Sequence, residues 1–191
     1  MPQRRHETIQ FFTEDEIKRL MGAIKDKRDK AIFLIAYRHA LRASEVGMLH
    51  TDHVDWKKLQ LYCRRLKGSY SGWQHMEPDE IRYLKAYLRA RKQQDSPILF
   101  PSAFGTPISR KRLDRLMKDY CKVAKLPSDK AHFHVLKHSI ATHLLNIGYE
   151  LRFVQDWLGH ANIQNTVDYT HLVSAARIAQ ARKNFMKLPH F

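Results

Sequence analysis

Four polar side chains at defined spacings in residues 134–171 could act together on an anion. His134 and Lys137 are one helical turn apart, so both can face the same point. His160 closes a Leu-Gly-His turn, and Tyr169 follows nine residues later, between an aspartate and a threonine. A tyrosine, two histidines and a cation without an acidic cluster are suited to chemistry on an anion.

A further candidate cation, Arg42, lies upstream at a boundary between two predicted helices. The apolar run 31–36 predicts a buried helix before it, and Ser44 can cap a short helix through Leu49 after it. An arginine at such a boundary can be held in one direction. The same residue could also be an ordinary surface arginine at a helix end.

These motifs resemble the catalytic box of the tyrosine recombinases, the phage integrase family. The family pattern is His-x-x-Arg, then Leu-Gly-His, then a nucleophilic tyrosine nine residues on, often within Tyr-Thr-His. The matches here are 134–137 (HVLK), 158–160 (LGH) and 169–171 (YTH). Residues 40–45 (ALRASE) are similar to the family's Gly-Leu-Arg-x-Ser-Glu. Lys137 stands where the family has its second arginine, as a natural variant, a deliberate substitution that slows cleavage, or a degenerate copy.

The resemblance implies a role for each matched residue. Tyr169 would attack a scissile DNA phosphate and form a 3′-phosphotyrosine, while Arg42 and Lys137 would clamp the phosphate oxygens. Glu45 would hold the Arg42 guanidinium. The catalytic set implied by the resemblance is Arg42, Lys67, His134, Lys137, His160 and Tyr169, with His160 hydrogen-bonding a phosphate oxygen and His134 assisting proton transfer.

Lys67 enters this set through a predicted hairpin. Residues 59–66 alternate well enough for a strand, 71–76 could be its partner, and 67–70 (KGSY) would form the turn. The family carries a catalytic lysine in such a hairpin, where it protonates the leaving 5′-oxygen, and Lys67 is the match. Lys58 and Arg65 are alternatives, and a lysine in a basic turn is often only a solvated charge.

The remaining elements are predicted to be mainly helices. Thr13 and Glu16 form a capping-box pattern that predicts a helix to about Ile24. Further helices are expected from Pro78 to about residue 92 and, capped by Ser109, to about residue 124. The outer face of the latter could be solvated, but we favour contact with the DNA backbone, which needs many fixed cations; its cations are Arg110, Lys111, Arg112, Arg115 and Lys118.

Composition favours a polyanion as partner. The 191 residues hold 34 Lys and Arg against 19 Asp and Glu, a net charge of +15. The two cysteines cannot form a zinc site alone. The sequence contains neither an apolar run of membrane-spanning length nor a secretory signal, so we expect a cytoplasmic, nucleoid-associated protein. A metal site on His134, His138 and His143 is disfavoured because HVLKH lacks the glutamate base of zinc proteases; His138 and His143 are predicted to pack or to support the site.

The sequence therefore predicts an α+β, mainly helical tyrosine-recombinase catalytic domain over 13–191 with a small antiparallel sheet. Residues 1–12 would be an extension or linker remnant, as in a cut-out domain or in short members such as the fimbrial phase-switch recombinases. The expected activity is site-specific cleavage and rejoining of double-stranded DNA without metal or ATP. The alternatives are a catalytically weakened DNA-binding relative and a type IB topoisomerase-like relaxer. We expect the chain to form a homotetramer on DNA, in which protomers dock on one another through a C-terminal helix at 174–186. Accessory DNA-bending proteins are further expected partners.

Overall fold

The structure, a computed structural model, describes residues 9–66, 68–92 and 94–173. Within these ranges helices dominate, and three short strands form one small sheet. The helices are α1 (Glu14–Ala23), α2 (Lys27–Arg38), α3 (Ala43–Gly47), α4 (Pro78–Ala90), α5 (Arg110–Val123), α6 (Val135–Asn146), α7 (Leu151–Leu158) and α8 (Gln164–Val167). Short 3-10 turns lie at Thr51–His53, Ser128–Lys130 and Asp168–Val173. The predicted class, mainly helical with a small antiparallel sheet, is confirmed.

Local capping explains where several helices begin. The Thr13 side chain accepts from the Glu16 backbone N–H, and the Glu16 carboxylate accepts from Thr13 N–H at 2.8 Å, as the sequence predicts. Ser109 likewise caps α5 by accepting from Arg112 N–H. The helix predicted from the apolar run 31–36 begins earlier, because the Asp26 side chain accepts from Asp29 N–H and starts α2 at Lys27.

The start of α3 also differs from the prediction. Ser44 lies inside the helix, and Arg42 occupies the N-cap position. The capping contact comes from the Glu45 carboxylate, which accepts from Arg42 N–H at 2.9 Å. Just before it, Ala40 has φ of 52°, a left-handed conformation that favours glycine. This bend turns the chain sharply from α2 into α3 and places Arg42 at the junction.

The sheet consists of β1 (Val54–Asp55), β2 (Gln60–Cys63) and β3 (Gly72–His75), in the order β1-β2-β3. Both pairs are antiparallel, and Leu61 lies opposite both Val54 and Gln74. The predicted hairpin is therefore present, with shorter strands than expected. Residues 54–55 add an edge strand to the predicted hairpin, because the chain folds back along β2.

Two hydrophobic clusters lie side by side, and α6 contributes to both. The larger cluster surrounds α2, with Phe33 against Phe133 and Tyr120 in edge-to-face contact. It also includes Phe12, which is fully buried. The smaller cluster joins the second half of α6 to α7 and the last 3-10 turn; its buried members are Ala40, Ala141, Leu145, Val154, Leu158, Tyr169 and Val173. The candidate nucleophile is thus a member of a packed core.

Two predictions fall on residues outside those that the structure describes. They are the position of Lys67 and the helix expected at 174–186. In the described part of the chain, no helix combines the length and the apolar character needed to cross a membrane.

Candidate active site

Arg42 and Glu45 form the first part of the site, at the start of α3. Arg42 Nη1 donates to Glu45 Oε1 at 2.8 Å, while 42% of the arginine side chain remains exposed. Glu45 itself is fully buried. Burial opposes its ionisation, but the Arg42 N–H and the charges of Arg65 and Lys137 outweigh this and lower the pKa of Glu45. The arginine is therefore anchored on one side and open on the other, as the predicted pairing requires.

Arg65, considered above as an alternative catalytic cation, is instead a buried structural connector. It is 7% exposed. Its guanidinium donates to Glu45 Oε2 at 3.2 Å and to the carbonyls of Ala40, His39 and Trp157 at 2.7–2.9 Å. These contacts tie β2, the α2–α3 junction and the end of α7 together. Because its planar guanidinium is occupied by these acceptors, Arg65 supports the base of the site.

Lys137 lies on the inner face of α6 and is only 4% exposed. Its Nζ donates to the Leu158 carbonyl at 2.8 Å, at the end of α7. Burial, followed by the charges of Arg65 and Arg42, lowers the pKa of Lys137 well below its ordinary range. The structure thus brings Lys137 to the Leu-Gly-His turn, as the order of motifs predicts, in a strongly desolvated position.

The Leu-Gly-His turn is held by its neighbours on both sides. Gly159 has φ of 69° and ends α7, and its carbonyl accepts from Tyr70 N–H at 2.9 Å. His160 is buried, with Nδ1 hydrogen-bonded to Thr166 Oγ1 at 3.0 Å and its carbonyl accepting from Gln155 Nε2 at 2.8 Å. Burial, with the charges of Lys137 and Arg42, lowers the pKa of His160 to about 4. The imidazole is therefore neutral near pH 7, with its ring orientation fixed through Thr166.

The turn that carries Lys67 lies against this same region, although Lys67 itself is outside the described residues. On one side of it, Leu66 N–H donates to Glu45 Oε1 at 3.4 Å. On the other side, Tyr70 donates to the Gly159 carbonyl. The flanks of the β2–β3 turn therefore contact both the α3 carboxylate and the Leu-Gly-His turn.

Tyr169 lies in the last 3-10 turn and is 3% exposed. Its hydroxyl is 2.7 Å from His138 Nδ1. Burial, opposed by the charge of Arg42, raises the pKa of Tyr169. The same positive charge acts on His160. Contacts link the elements that carry these residues, because Tyr169 meets His138 of α6, one residue from Lys137, and Lys137 meets the Leu158 carbonyl, two residues before His160.

His134 is exposed at the outer edge of this group of residues. Its ring meets the edge of His138 with 5.3 Å between centroids and stacks on His132 at 5.7 Å. Burial and the charge of His132 lower the pKa of His134. The structure gives the direct contact with the tyrosine hydroxyl to His138, and His134 reaches Tyr169 only through that ring.

The predicted cations of α5 form a separate surface. Leu113, Leu116, Met117 and Cys121 face the core, which turns the opposite side of the helix to solvent. Arg110 contacts Asp114 at 3.7 Å, and its side chain is 76% exposed. All five predicted cations are exposed on α5: Arg110, Lys111, Arg112, Arg115 and Lys118.

The three histidines of α6 have different partners. His143 is hydrogen-bonded through Nδ1 to the Tyr37 hydroxyl at 2.8 Å, away from the Tyr169 contact. Across residues 9–66, 68–92 and 94–173, no three His, Cys, Asp or Glu side chains are grouped so that they could hold a metal ion. The His134–His138 spacing is the one sequence signal that could have placed His138 beside the site. Arg65, Gln155 and Thr166 carry no comparable signal.

The sequence has clear relatives among known proteins. The tyrosine recombinase XerC of Lacticaseibacillus casei is 30% identical and aligns with 98% of this chain and 65% of its own length. XerA of Pyrococcus furiosus is 35% identical over 91% of this chain and 63% of its own length. The type 1 fimbriae regulatory protein FimB of Escherichia coli K12 is 34% identical over 84% of this chain and 83% of its own. The chain thus spans less than two thirds of the Xer relatives.

Solved structures show the same fold. A crystal structure of XerA recombinase superposes with a TM-score of 0.81 at 29% identity, covering 100% of this chain and 68% of that one. The XerH site-specific recombinase, solved in a post-cleavage complex with its palindromic difH substrate, gives 0.78 at 20% identity over 94% of this chain and 54% of its own. The family pattern described as the phage integrase family matches residues 10–175. With its arginine, histidine and tyrosine motifs assembled at one place, this chain belongs to the phage integrase family, the tyrosine recombinases.

Proposed function

We propose that this chain cleaves and rejoins double-stranded DNA at specific sites, with Tyr169 as the nucleophile. The observation that carries the proposal is that Tyr169 is hydrogen-bonded to His138 of α6, one residue from Lys137, while Lys137 contacts the Leu158 carbonyl, two residues before His160, and the charge of partly exposed Arg42 acts on both Tyr169 and His160. The net charge of +15 and the recombinase names of the relatives agree with DNA as substrate. A tyrosine surrounded only by a solvated basic surface would not support this chemistry.

The proposed reaction starts with attack of Tyr169 Oη on the scissile phosphorus. The bond to the 5′-oxygen breaks, leaving a 3′-phosphotyrosine and a 5′-hydroxyl, and a 5′-hydroxyl from a partner strand reverses the step. Arg42 and Lys137 stabilise the crowded, charged phosphorus centre, and His160 hydrogen-bonds one of its oxygens. Lys67 remains our proposal for the group that protonates the leaving oxygen. Each step exchanges one phosphoester bond for another, so the bond energy is conserved and the scheme needs neither ATP nor a metal.

Lys137 is the departure from the family pattern, and its surroundings suggest how a lysine can serve there. One N–H is occupied by the Leu158 carbonyl, which fixes the direction of the ammonium group. An anionic phosphate would favour the protonated form of Lys137 despite its lowered pKa, and that ammonium has two further N–H groups available for the phosphate. It lacks the planar fork with which arginine grips two oxygens, so it would stabilise the transition state less well. Loss of such a contact can cost about 10²-fold in rate.

The proposal includes the exposed cations of α5 as a backbone-binding surface. The five side chains project from one face of a helix whose other face is packed in the core, so the helix holds the whole group in a fixed position. Phosphate contacts of this kind supply affinity and register but carry no sequence information. Assembly of four protomers on DNA through residues 174–186, and help from DNA-bending proteins, remain parts of the proposal that rest on the family resemblance.

Covalent trapping tests the proposal. The protein is incubated with a pool of nicked duplexes drawn from its genomic surroundings, in EDTA and without ATP. The nick lets the cleaved fragment leave, so a protein–DNA adduct accumulates on a denaturing gel. Tyr169→Phe serves as the matched control because it removes one oxygen from a buried ring. An adduct with the wild type that is absent with Tyr169→Phe is the expected result.

Lys137→Arg distinguishes the alternatives in the same experiment. An adduct formed only by Lys137→Arg would mean that the natural lysine holds the site inactive. DNA binding without an adduct from either protein would favour a binding-only relative and contradict the proposal. Adducts distributed over all sequences, with relaxation of supercoiled plasmid, would favour a topoisomerase-like activity instead.

A further inference from the structure

Among the residues that the structure describes, one side chain is hydrogen-bonded to the Tyr169 hydroxyl, and it lies outside the family motif. His138 Nδ1 is 2.7 Å from the tyrosine oxygen, and the two rings are 5.7 Å apart at 42°. The contact joins α6 to the last 3-10 turn across 31 residues of chain. We propose that His138 accepts the proton of Tyr169 when the tyrosine attacks a phosphate, an inference that rests on the proposed function.

The direction of the hydrogen bond follows from the ionisation of the two groups. Burial, followed by the charges of His134, Lys137 and Arg42, lowers the pKa of His138 to about 4, so its ring is neutral near pH 7. Burial raises the pKa of Tyr169, so the phenol is protonated. A neutral imidazole accepts at one nitrogen only. The tyrosine O–H therefore donates to Nδ1, and the imidazole proton resides on Nε2.

The proton inventory of the step is simple. As the bond from Tyr169 Oη to phosphorus forms, the phenolic proton moves to His138 Nδ1 and the ring becomes cationic. The electron pair of the breaking phosphorus–oxygen bond leaves with the 5′-oxygen, which takes its proton from a second donor, the role proposed for Lys67. In the rejoining step the imidazolium returns its proton to the departing phenolate. No oxidant, reductant or other reagent is consumed.

An imidazole with such a low pKa is a poor base in the free protein. The physical cause of that low pKa suggests how His138 becomes a better base. Apart from burial, the groups that lower the pKa of His138 include Arg42 and Lys137, the proposed phosphate clamp. An anionic phosphate between them would compensate their charge and raise the basicity of His138. Binding of DNA would then prepare the base only where a phosphate is in place. The titratable and charged groups acting on His138 are His134 and Lys137 of α6, Arg42, His160 and Tyr169.

The test uses a substitution that keeps the hydrogen bond and removes the base. In His138→Asn the amide oxygen can take the place of Nδ1 as acceptor but cannot hold the proton. The matched control is His143→Asn, on the same helix, because His143 Nδ1 is also 2.8 Å from a tyrosine hydroxyl, that of Tyr37. Single-turnover adduct formation on saturating nicked duplex is followed from pH 5.5 to 9.

We expect the His138→Asn rate to fall by about 10²-fold or more at pH 7, with DNA affinity within about threefold of wild type. The wild-type rate should rise with pH and level off as the base loses its proton in the complex, and this titration should be absent in His138→Asn. Imidazole in the buffer should restore part of the rate of His138→Ala. His143→Asn should keep the wild-type rate and pH profile.

A wild-type rate and pH profile in His138→Asn would overturn the inference while leaving the proposed function intact. Equal losses in His138→Asn and His143→Asn, without imidazole rescue of His138→Ala, would also overturn it, since both would then act through packing. Absence of an adduct from the wild type and from Lys137→Arg would overturn the proposed function, and the inference with it.

Discussion

Two regions of this molecule hold cations in different physical settings. Around Glu45, Arg65 and Lys137 are buried and hydrogen-bonded to acceptors within the protein, Arg65 to three carbonyls and a carboxylate and Lys137 to the Leu158 carbonyl. On α5 the cations are exposed and loosely paired, as Arg110 is to Asp114 at 3.7 Å. The site region therefore holds positive charge at defined, hydrogen-bonded positions, whereas α5 holds it on solvent-exposed side chains.

This difference separates two uses of positive charge. Fixed, desolvated cations interact strongly with a charge that develops beside them and need no reorganisation when it does. Exposed cations act through a screened field and release counterions when they meet a polyanion. We infer that substitutions in the site region will change stability and reaction rate, whereas substitutions on α5 will change affinity and its dependence on salt.

The largest effect is expected at the carboxylate that neutralises the buried region. Glu45→Gln leaves the charges of Arg65 and Lys137 without their nearest compensation, and breaking a buried pair typically costs about 3–5 kcal/mol. Urea unfolding should show a loss of this size. The control, Asp156→Asn, removes an exposed partner of Arg152 at 3.7 Å and should change the free energy of unfolding by less than about 0.5 kcal/mol. Equal losses would mean that the two kinds of ion pair do not differ.

A second prediction concerns the turn that positions His160. In Gly159→Ala the new Cβ would lie 2.6 Å from the Tyr70 carbonyl oxygen, at φ of 69°. The backbone conformation alone costs roughly 1–3 kcal/mol. We expect a lower free energy of unfolding and a much slower adduct formation. Gly22→Ala, in α1 where a Cβ meets nothing within 4 Å, should instead stabilise by about 0.5–1 kcal/mol. A Gly159→Ala protein of normal stability and rate would refute this account of the turn.

The pH dependence of stability tests whether the charge of Glu45 makes the contribution that Glu45→Gln removes. The pKa of Glu45 is lowered below its ordinary value of 4.5 in the folded protein. Its contribution to stability is therefore present above that value and is lost as the pH falls through the lower, folded-state pKa. The stability difference between wild type and Glu45→Gln should be large at pH 7 and shrink steadily below about pH 4.5. A difference that stays constant down to pH 3 would show that packing, and not charge, makes the contribution.

The smallest effect on stability is expected on α5. Arg115→Gln should leave the free energy of unfolding within about 0.5 kcal/mol of wild type. If Arg115 contacts a phosphate, the variant should bind duplex DNA more weakly, and the slope of log K against log salt should fall by about 1. Fluorescence anisotropy over a range of salt concentrations measures both quantities. A weaker affinity with an unchanged slope would place this side chain away from the phosphates.

Features that depend on neighbours in sequence were predicted well. The capping box at Thr13 and the cap at Ser109 each involve residues a few positions apart, and each is present. The earlier start of α2 and the error at Ser44 also have a local origin. In both cases a carboxylate, from Asp26 or Glu45, caps the helix more directly than the pattern suggested.

The candidate site was proposed from its motifs, and its contacts came only from the structure. Motif order selected Arg42, Lys137, His160 and Tyr169, whose catalytic roles remain a prediction. That order could not show that Lys137 is desolvated, that Arg65 is a connector, or that the tyrosine hydroxyl meets His138. Each of these facts depends on burial or on a partner distant in sequence, for which the chain offers no periodic signal.

The sequence by itself thus determined the helices, the hairpin and the identity of the polar motifs, because hydrophobic period, capping and turn chemistry act within a few residues. Only the tertiary structure decided which groups touch. Arg65 meets the Trp157 carbonyl across 92 residues, and Tyr37 meets His143 across 106. Such contacts form only when helices pack, since packing removes water and leaves each buried donor to find its acceptor within the protein.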